Sequence, residues 1–550
     1  MVLWSHSYRA MAFSSLVFAP ESRHTSATIV SRDVVSTVLS VVTLKPRTAA
    51  LVEHAKMNHA ATAAGTCRAK LAMVPPGVLI AEPRIRIRIP QSGTRVTWLS
   101  YNRAWAADQS AGQRSAAGAV GAGKPSCTMS QRKRYVVVGT GSRGIYMFAR
   151  PLLTTYTEFC ELVGLCDRNA LRLEAARRML QTDVPADTDF RRLLRKTNPD
   201  VVVVATQDNT HARYIIAAMS AGRRVISEKP LCVSARQCRA ILAARDRYRS
   251  AGAECFVTHN MRYAPSVTQL KRLLDGGAIG RILSVNFHEN LDRRHGADYF
   301  RRWHRMKSNS GGLQIHKASH HFDTLNWLVG STPQTLCARG ALMFYGRNGP
   351  FRHTRCMGCP HCGRCELFVD MWHNPQKKML YLDAESADGY IRDGCVFDPA
   401  IDIEDQFAVL YTYANGVNVT YSLTAFASYE GWHIQIEGTA GRVELREVHD
   451  TRWAGGTSVV HGLERIAGRQ LTLYSFREGV REIPVADEEG THGGADPAIQ
   501  RDFFARPADA PLTDRQAPLE QAVQAVLIGH AVNVSIARGG RPVDVQSLLR

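Results

Sequence analysis

Hydrophobic and polar positions divide this 550-residue chain at about residue 129. Before that point apolar residues lie isolated among Ala, Ser, Thr, Arg and Pro, with no sustained period of 2 or 3.6, and the alternating RIRIRI of residues 84–89 is a strand with no evident partner. From Met129 onward short apolar runs alternate with stretches of helical period. The run at 136–139 leads into a helix from about Gly144, that at 161–166 into a helix over 168–180, and DVVVVAT into a helix over 211–221. A strand in RRVISEKP, a helix over 234–250 and a strand in ECFVTHN follow. Strands that are apolar on both faces and separated by helices imply a parallel sheet covered on both sides. Past residue 260 the strands lengthen and alternate. QFAVLYTYANGVNVTYSL turns at Asn415-Gly416, and IQIEGTAGRVEL and LTLYSFREGVREIPV are two further hairpins. A helix over 319–328 and a terminal helix over 516–537 complete the pattern.

The fold class is therefore α/β: an N-terminal Rossmann dinucleotide-binding domain, residues 129–258, and a C-terminal α+β domain, 259–550, with a largely antiparallel open sheet. Residues 1–128 are expected to be a disordered extension, or upstream translation outside the working protein, because MSQRKRYVVVG has the character of a natural start. The formal charge of +20 suggests a nucleic-acid partner until it is mapped. Residues 1–128 hold 15 Lys/Arg against 5 Asp/Glu, half of the excess, and the remainder is diluted with no basic block. No nucleic acid is expected as a partner. No membrane is expected either, since the longest N-terminal apolar stretch, VVSTVLSVVTL, is 11 residues and interrupted. An odd count of thirteen cysteines, most of them scattered, and no convincing signal peptide point to a reducing cytoplasm.

Candidate chemistry begins at RYVVVGTGSRG, where a strand feeds into Gly139, Gly141 and Gly144 at GxGxxG spacing. Gly139 permits the tight turn, Gly141 lets backbone approach a pyrophosphate, and Gly144 lets the helix lie on the strand. Ser142 and Arg143 complete the turn, and the phosphates belong at the helix N-terminus. Asp167, 23 residues beyond Gly144, ends the next strand, where a carboxylate accepts from ribose hydroxyls. Its charge favours NAD over NADP, while Arg168 beside it could accommodate a 2′-phosphate.

With EKPLCVSA, NMRYAPSV and GGLQIHKASHHFDTLNWLVG, the chain from Met129 onward resembles the glucose-fructose oxidoreductase, inositol dehydrogenase and rhizopine-catabolism (Gfo/Idh/MocA) oxidoreductase family. The resemblance implies hydride transfer between a nicotinamide cofactor and a hydroxyl or keto group of a sugar, sugar derivative or polyol. It implies that Lys229, in Glu228-Lys229-Pro230 with a cis Lys-Pro bond, and His320 move the proton and stabilise the developing oxygen charge. Asp323, Trp327 and Leu328 fix the register that makes His320, not His321, the family histidine. Where the family has a carboxylate this chain has His316, with Lys317 next to it. Thr206, Gln207, Asn209 and His211 resemble residues lining the nicotinamide and ribose, and Glu228 and Lys229 adjoin them. Asn260 and Arg262 either contact substrate or brace the sheet. Homo-oligomerisation through the C-terminal sheet is expected.

Two other functions compete. One is a glycosidase that retains NAD and works by transient oxidation and elimination; the other is a non-enzymatic nucleotide-binding protein, against which Lys229 and His320 argue. Finally, Cys356, Cys359, Cys362 and Cys365 repeat at every third position in an insertion, 347–399. Tetrahedral thiolate ligation of structural zinc is the first expectation, an iron–sulphur cluster with Cys395 as remote ligand the second, and reduced cysteines or a labile disulfide the third.

Overall fold

The unbroken apolar runs of the first half become strands buried on both faces. A computed structural model describes residues 132–449, 466–506 and 513–550, all within one compact unit, Gly121–Arg550. The expectations for residues 1–128 lie outside the described residues. Strands β1 (Lys133–Val138), β2 (Cys160–Cys166), β3 (Ala186–Asp187), β4 (Val201–Val204), β5 (Arg224–Ser227) and β6 (Cys255–Val257) form a parallel sheet in the order 6-5-4-1-2-3. Along β1 and β4, Val136, Val138, Val202 and Val204 join one apolar layer while Tyr135, Val137, Val201 and Val203 join the other. Each such buried valine contributes about 1.5–3 kcal/mol. This doubly covered sheet explains why no polar alternation survives in VVVV.

The connecting helices start where their caps allow. Asn169, Asp189 and Ser234 accept from backbone amides two or three residues on, opening Ala170–Leu180, Phe190–Thr197 and Ala235–Tyr248. The helix after the glycine turn, Gly144–Ala149, is wound as a π-turn before continuing as Arg150–Thr154.

The second sheet contains β7 (Ile282–Asp292), β8 (Pro333–Ala341), β9 (Gln406–Tyr413), β10 (Asn418–Ala427), β11 (Glu430–Gly438), β12 (Gly441–His449), β13 (Gly468–Ser475) and β14 (Gly479–Glu482). Its order is 14-13-12-11-7-10-9-8, with Val543–Asp544 at the β8 edge. All pairings are antiparallel except β7 with β10. The three hairpins form as expected. At Asn415-Gly416 the loop is a type I turn closed by a bulge: Gly416 donates to Tyr413 O at 2.9 Å and alone takes positive φ, 84°.

Helix Ser319–Val329 lies where predicted. The terminal helix begins at Leu519 instead of 516, because Ala517–Pro518 is spent as a short antiparallel strand on β6. Leu519–Ala537 is buried around most of its circumference, between β8, Ser319–Val329 and the nucleotide domain. The 347–399 insertion is more apolar in effect than its sequence suggests. Met371, Leu380 and Tyr381 pack on Ile145, Ala175 and Ala176, which docks the insertion on the nucleotide domain beside the glycine turn.

Candidate active site

The glycine turn meets the steric demands of a dinucleotide loop. A Cβ on Gly139 (φ 97°) would lie 2.3 Å from Ala205 O, and one on Gly144 would lie 1.8 Å from Gly139 O. A Cβ on Gly141 would crowd only the Tyr381 hydroxyl, at 3.3 Å, and would meet no backbone. Tyr381, from the insertion, accepts from Ser142 N at 2.9 Å and bonds Ser142 Oγ at 3.0 Å. Burial opposes its phenolate, but Arg392 and the Ser142 bonds carry its pKa below the usual tyrosine value.

Asp167 ends β2 beside this turn. It accepts from Thr140 N at 2.8 Å, Thr140 Oγ1 at 3.1 Å and Asn169 N at 2.9 Å, and Arg172 stands 3.4 Å away. A second carboxylate joins it from the insertion: Asp388 pairs with Arg172 at 3.2 Å and Arg168 at 3.6 Å. Sequence reasoning missed Asp388, which quenches the cations that could receive a 2′-phosphate.

At the end of β5, the Lys229-Pro230 peptide is cis. Lys229 Nζ donates to His316 O at 3.0 Å. Burial, opposed by the Asp208 and Glu228 charges and aided by Lys317 and Arg143, brings the Lys229 pKa down to about 8. His316 Nδ1 lies 2.6 Å from Asp208 Oδ2. Burial pushes Asp208 above and His316 below its ordinary value, so the pair shares a proton along this bond instead of separating charge. Asp208, on the TQDNTH loop, thus places a carboxyl group directly against His316, the position at which this chain has no carboxyl of its own.

The two neighbouring histidines point to different surroundings. His320 is 6.1 Å, ring to ring, from His259, and burial with Lys229 and Lys317 nearby keeps it well below the ordinary imidazole pKa. Its Nδ1 is buried without a hydrogen-bond partner among the described residues. His321 instead bonds Tyr421 Oη at 2.7 Å and stacks on Phe287 of the sheet. Lys317 pairs with Glu289 at 3.0 Å; burial works against its ammonium, but Glu289 and its neighbours hold the pKa above normal.

Several predicted contacts are braces. Both His211 nitrogens face carbonyls, Pro230 O at 2.8 Å and Thr206 O at 3.0 Å, which ties the loop after β4 to the Lys229-Pro230 turn and leaves no ring nitrogen for a cofactor. Asn209 bonds Asn309 at 3.2 Å, and Thr206 bonds Thr210 at 2.8 Å. Glu228 accepts from Arg143 Nε at 2.7 Å, and Arg143 also grips Asp496 at 2.8 Å, so the glycine turn and the Lys229 strand are locked together. Arg262, fully buried, forks onto Asp323 at 2.6 and 2.7 Å, and Asn260 reaches Asp496 at 3.4 Å. These two brace the domain junction.

The cysteines separate differently from their spacing. Cys356, Cys359 and Cys365 line, with Cys395, one cavity of about 20 Å³, whereas Cys362 is exposed and outside it. The Arg355–Gly394 bridge brings Cys395 beside Cys356. Among the described residues, no three His, Cys, Asp or Glu side chains already converge closely enough to hold a metal ion.

Residues 133–259 match the NAD-binding Rossmann fold of an oxidoreductase family, and residues 271–545 match the C-terminal alpha/beta domain of that family. A Bacillus subtilis protein named as an oxidoreductase, YteT, is 31% identical over 435 residues, covering 76% of this chain and 99% of the relative. The scyllo-inositol 2-dehydrogenase (NAD(+)) of B. subtilis is 27% identical over 223 residues, covering 40% of this chain and 60% of that enzyme. A levoglucosan dehydrogenase structure in complex with NADH shares the fold, with TM-score 0.55, 20% identity and coverage of 76% of this chain and 99% of the other. With both domains matched in order around the glycine turn and the Glu228-Lys229-Pro230 strand end, the chain belongs to the Gfo/Idh/MocA oxidoreductase family.

Proposed function

We propose that the protein is an NAD-dependent oxidoreductase acting on a CH–OH group of a sugar, sugar derivative or polyol. The observation that carries this reading is Lys229, at the end of β5 in the glycine-turn domain, with Nζ held on His316 O at 3.0 Å from the second domain and its pKa brought down by burial to about 8. A lysine at that value exchanges a proton near neutral pH, as removal of a hydroxyl proton requires. His320, kept neutral, can accept or donate at the same oxygen, and the His316–Asp208 pair fixes the backbone carbonyl that holds Lys229 Nζ. The nicotinamide, when bound, supplies the hydride acceptor or donor. The relatives named inositol and levoglucosan dehydrogenases support the sugar or polyol class. Preference for NAD over NADP is supported by the paired carboxylates Asp167 and Asp388, which repel a 2′-phosphate. Purified protein supplied with NAD and a panel of cyclic polyols and sugars tests the reading by growth of nicotinamide absorbance.

A second reading, NAD retained through transient oxidation and elimination, is supported by Tyr381 and Asp388, which bring the insertion over the glycine turn and Asp167. Glycoside cleavage at constant NAD, without accumulation of NADH, distinguishes it. We further propose assembly with a second copy through the outer face of the large sheet, where alternate residues of β9 are exposed, Leu410 at 50%, around a shallow groove of about 590 Å³. Structural zinc is proposed with the ligand set moved to Cys356, Cys359, Cys365 and Cys395, since these four share a cavity with room for one small occupant. A cytoplasmic location is proposed on the eleven free thiols among the described residues. Among those residues no helix is long and apolar enough to cross a membrane.

A further inference from the structure

Three half-buried cations, Arg302, Arg392 and Lys377, have no carboxylate within ion-pair distance among the described residues. Arg302 caps the helix Arg293–Arg301 and donates Nε to Asp298 O at 2.9 Å, which leaves the terminal nitrogens of its guanidinium without an acceptor among those residues. Its plane lies 5.9 Å from the Tyr299 ring centre, and the Tyr299 ring is in turn 5.5 Å from His316. Arg392, from the insertion, lies 4.3 Å above the Tyr381 ring. Lys377 ends the short helix Pro375–Lys377 of the same insertion. One carboxylate, Asp298, serves all three, and Arg301 already holds it at 3.1 Å. The surplus of positive charge acts on its surroundings. Three guanidiniums outweigh burial and bring Asp298 down to about 2, and burial, together with Arg392, Arg301 and Arg302, lowers Lys377. Arg302 also acts electrostatically on Asp208, His304 and His316, so the surplus reaches the Lys229 site.

Half-buried like charges that share one carboxylate among them repel one another, and an anion that completes them offsets that repulsion. The aromatic faces of Tyr299 and Tyr381 hold two of the cations in position. We propose that Arg302, Arg392 and Lys377 bind an anionic substituent of the substrate, so that the enzyme acts on an acidic sugar, one bearing a carboxylate or phosphate, in place of a neutral polyol. This rests on the reading of Lys229 and His320 as the reacting pair; Arg302 adjoins that site through the Tyr299 ring and His316, whose backbone carbonyl holds Lys229 Nζ. Asp298 and Asp208 are the carboxyl groups that act on these cations, Arg301 adds a further positive charge, and Tyr299, Tyr381, Tyr390, His304 and His316 surround them as neutral rings, so the net charge stays positive.

The test measures binding apart from turnover. Full-length protein saturated with NADH, which cannot accept hydride from an alcohol, is titrated calorimetrically with D-galacturonate, D-galactose 6-phosphate and D-galactose, and with the corresponding glucose series. At least one acidic sugar should bind tenfold or more tightly than its neutral parent, with affinity falling as salt rises. Arg302→Gln and Arg392→Gln should each weaken it by roughly tenfold to a hundredfold, the scale of a lost charged hydrogen bond, while the Kd for NAD stays within about twofold. Lys377→Gln, next to the exposed Pro375 and Gln376 of the insertion, repeats the test where folding is least at risk. The uronate and phosphate arms decide which anion is preferred. Equal affinity for acidic and neutral sugars, or no binding of any acidic sugar, overturns the proposal. Arginine variants that weaken NAD and leave sugar discrimination unchanged overturn it too, by assigning the cations to the cofactor diphosphate. Arginine-dependent binding of an acidic sugar without hydride transfer upholds the anion site and instead removes the dehydrogenase reading.

Discussion

Replacing Lys229 by Ala should remove an alkaline dependence that the structure itself sets. An unperturbed lysine has a pKa of 10.5, and burial brings Lys229 to about 8. At pH 7 a group of pKa 8 is about one-tenth free amine, while one of pKa 10.5 is only about 0.03% free, so burial raises the available base roughly 300-fold. The base must be deprotonated to take a hydroxyl proton, so kcat/KM for oxidation should rise with pH and level off above about 8. Reduction of the corresponding ketone needs the protonated form and should fall through the same pH. Lys229→Ala should lower oxidation by roughly 100-fold or more and flatten this limb, with the Kd for NAD little changed. The assay is initial rate against pH, with NAD binding followed separately by fluorescence. Persistence of the limb near pH 8 in Lys229→Ala would assign it to another group and refute the base role of Lys229.

Other consequences can be measured independently. His320→Ala should cost oxidation a similar factor of roughly 100, and near-normal turnover would transfer its role to His316. Asp388→Ala frees Arg168, leaves Arg172 with Asp167 as its one carboxylate among the described residues, and should narrow the preference for NAD over NADP; an unchanged ratio of the two kcat/KM values would argue against a cofactor role for Asp388. Arg262→Ala leaves Asp323 buried and unpaired and should destabilise the fold by about 3–5 kcal/mol in denaturant unfolding, whereas a loss below about 1 kcal/mol would contradict the bracing role. Metal analysis should find close to one equivalent of zinc, lost in Cys395→Ser and kept in Cys362→Ser; metal-free protein from chelator-free anaerobic preparation would remove the site.

The sequence carried those parts of the site that local physics dictates. Gly139 and Gly144 are legible because any side chain there strikes backbone, and β1 and β4 because a strand covered on both faces has no polar position. The family resemblance singles out His320 over His321, and the fold separates the two rings, His320 toward His259 and His321 onto Tyr421 of the sheet. His211, Asn260 and Arg262 have the right residue types for ligand contacts, but they bond Pro230, Asp496 and Asp323, which only the tertiary fold brings near. Asp208, Asp388, Arg302 and Arg392 escaped because they lie in segments without periodic pattern. The insertion brings Asp388 and Arg392 back onto the nucleotide domain through Met371, Leu380 and Tyr381. The even spacing of four cysteines does not show which of them share a cavity: Cys356, Cys359 and Cys365 do so with Cys395, across the Arg355–Gly394 bridge, and Cys362 lies outside it.

The central claim is that this chain moves hydride between a nicotinamide and a carbon bearing a hydroxyl group, with Lys229 taking the proton. Its most direct test is a single-turnover experiment with NAD-loaded protein and carbon-deuterated substrates drawn from the cyclic polyols and acidic sugars, followed by mass analysis of the nucleotide. The account predicts deuterium in the reduced nicotinamide from at least one substrate, and loss of that transfer in Lys229→Ala. Reduced nicotinamide without deuterium, or transfer undiminished in Lys229→Ala, would contradict it.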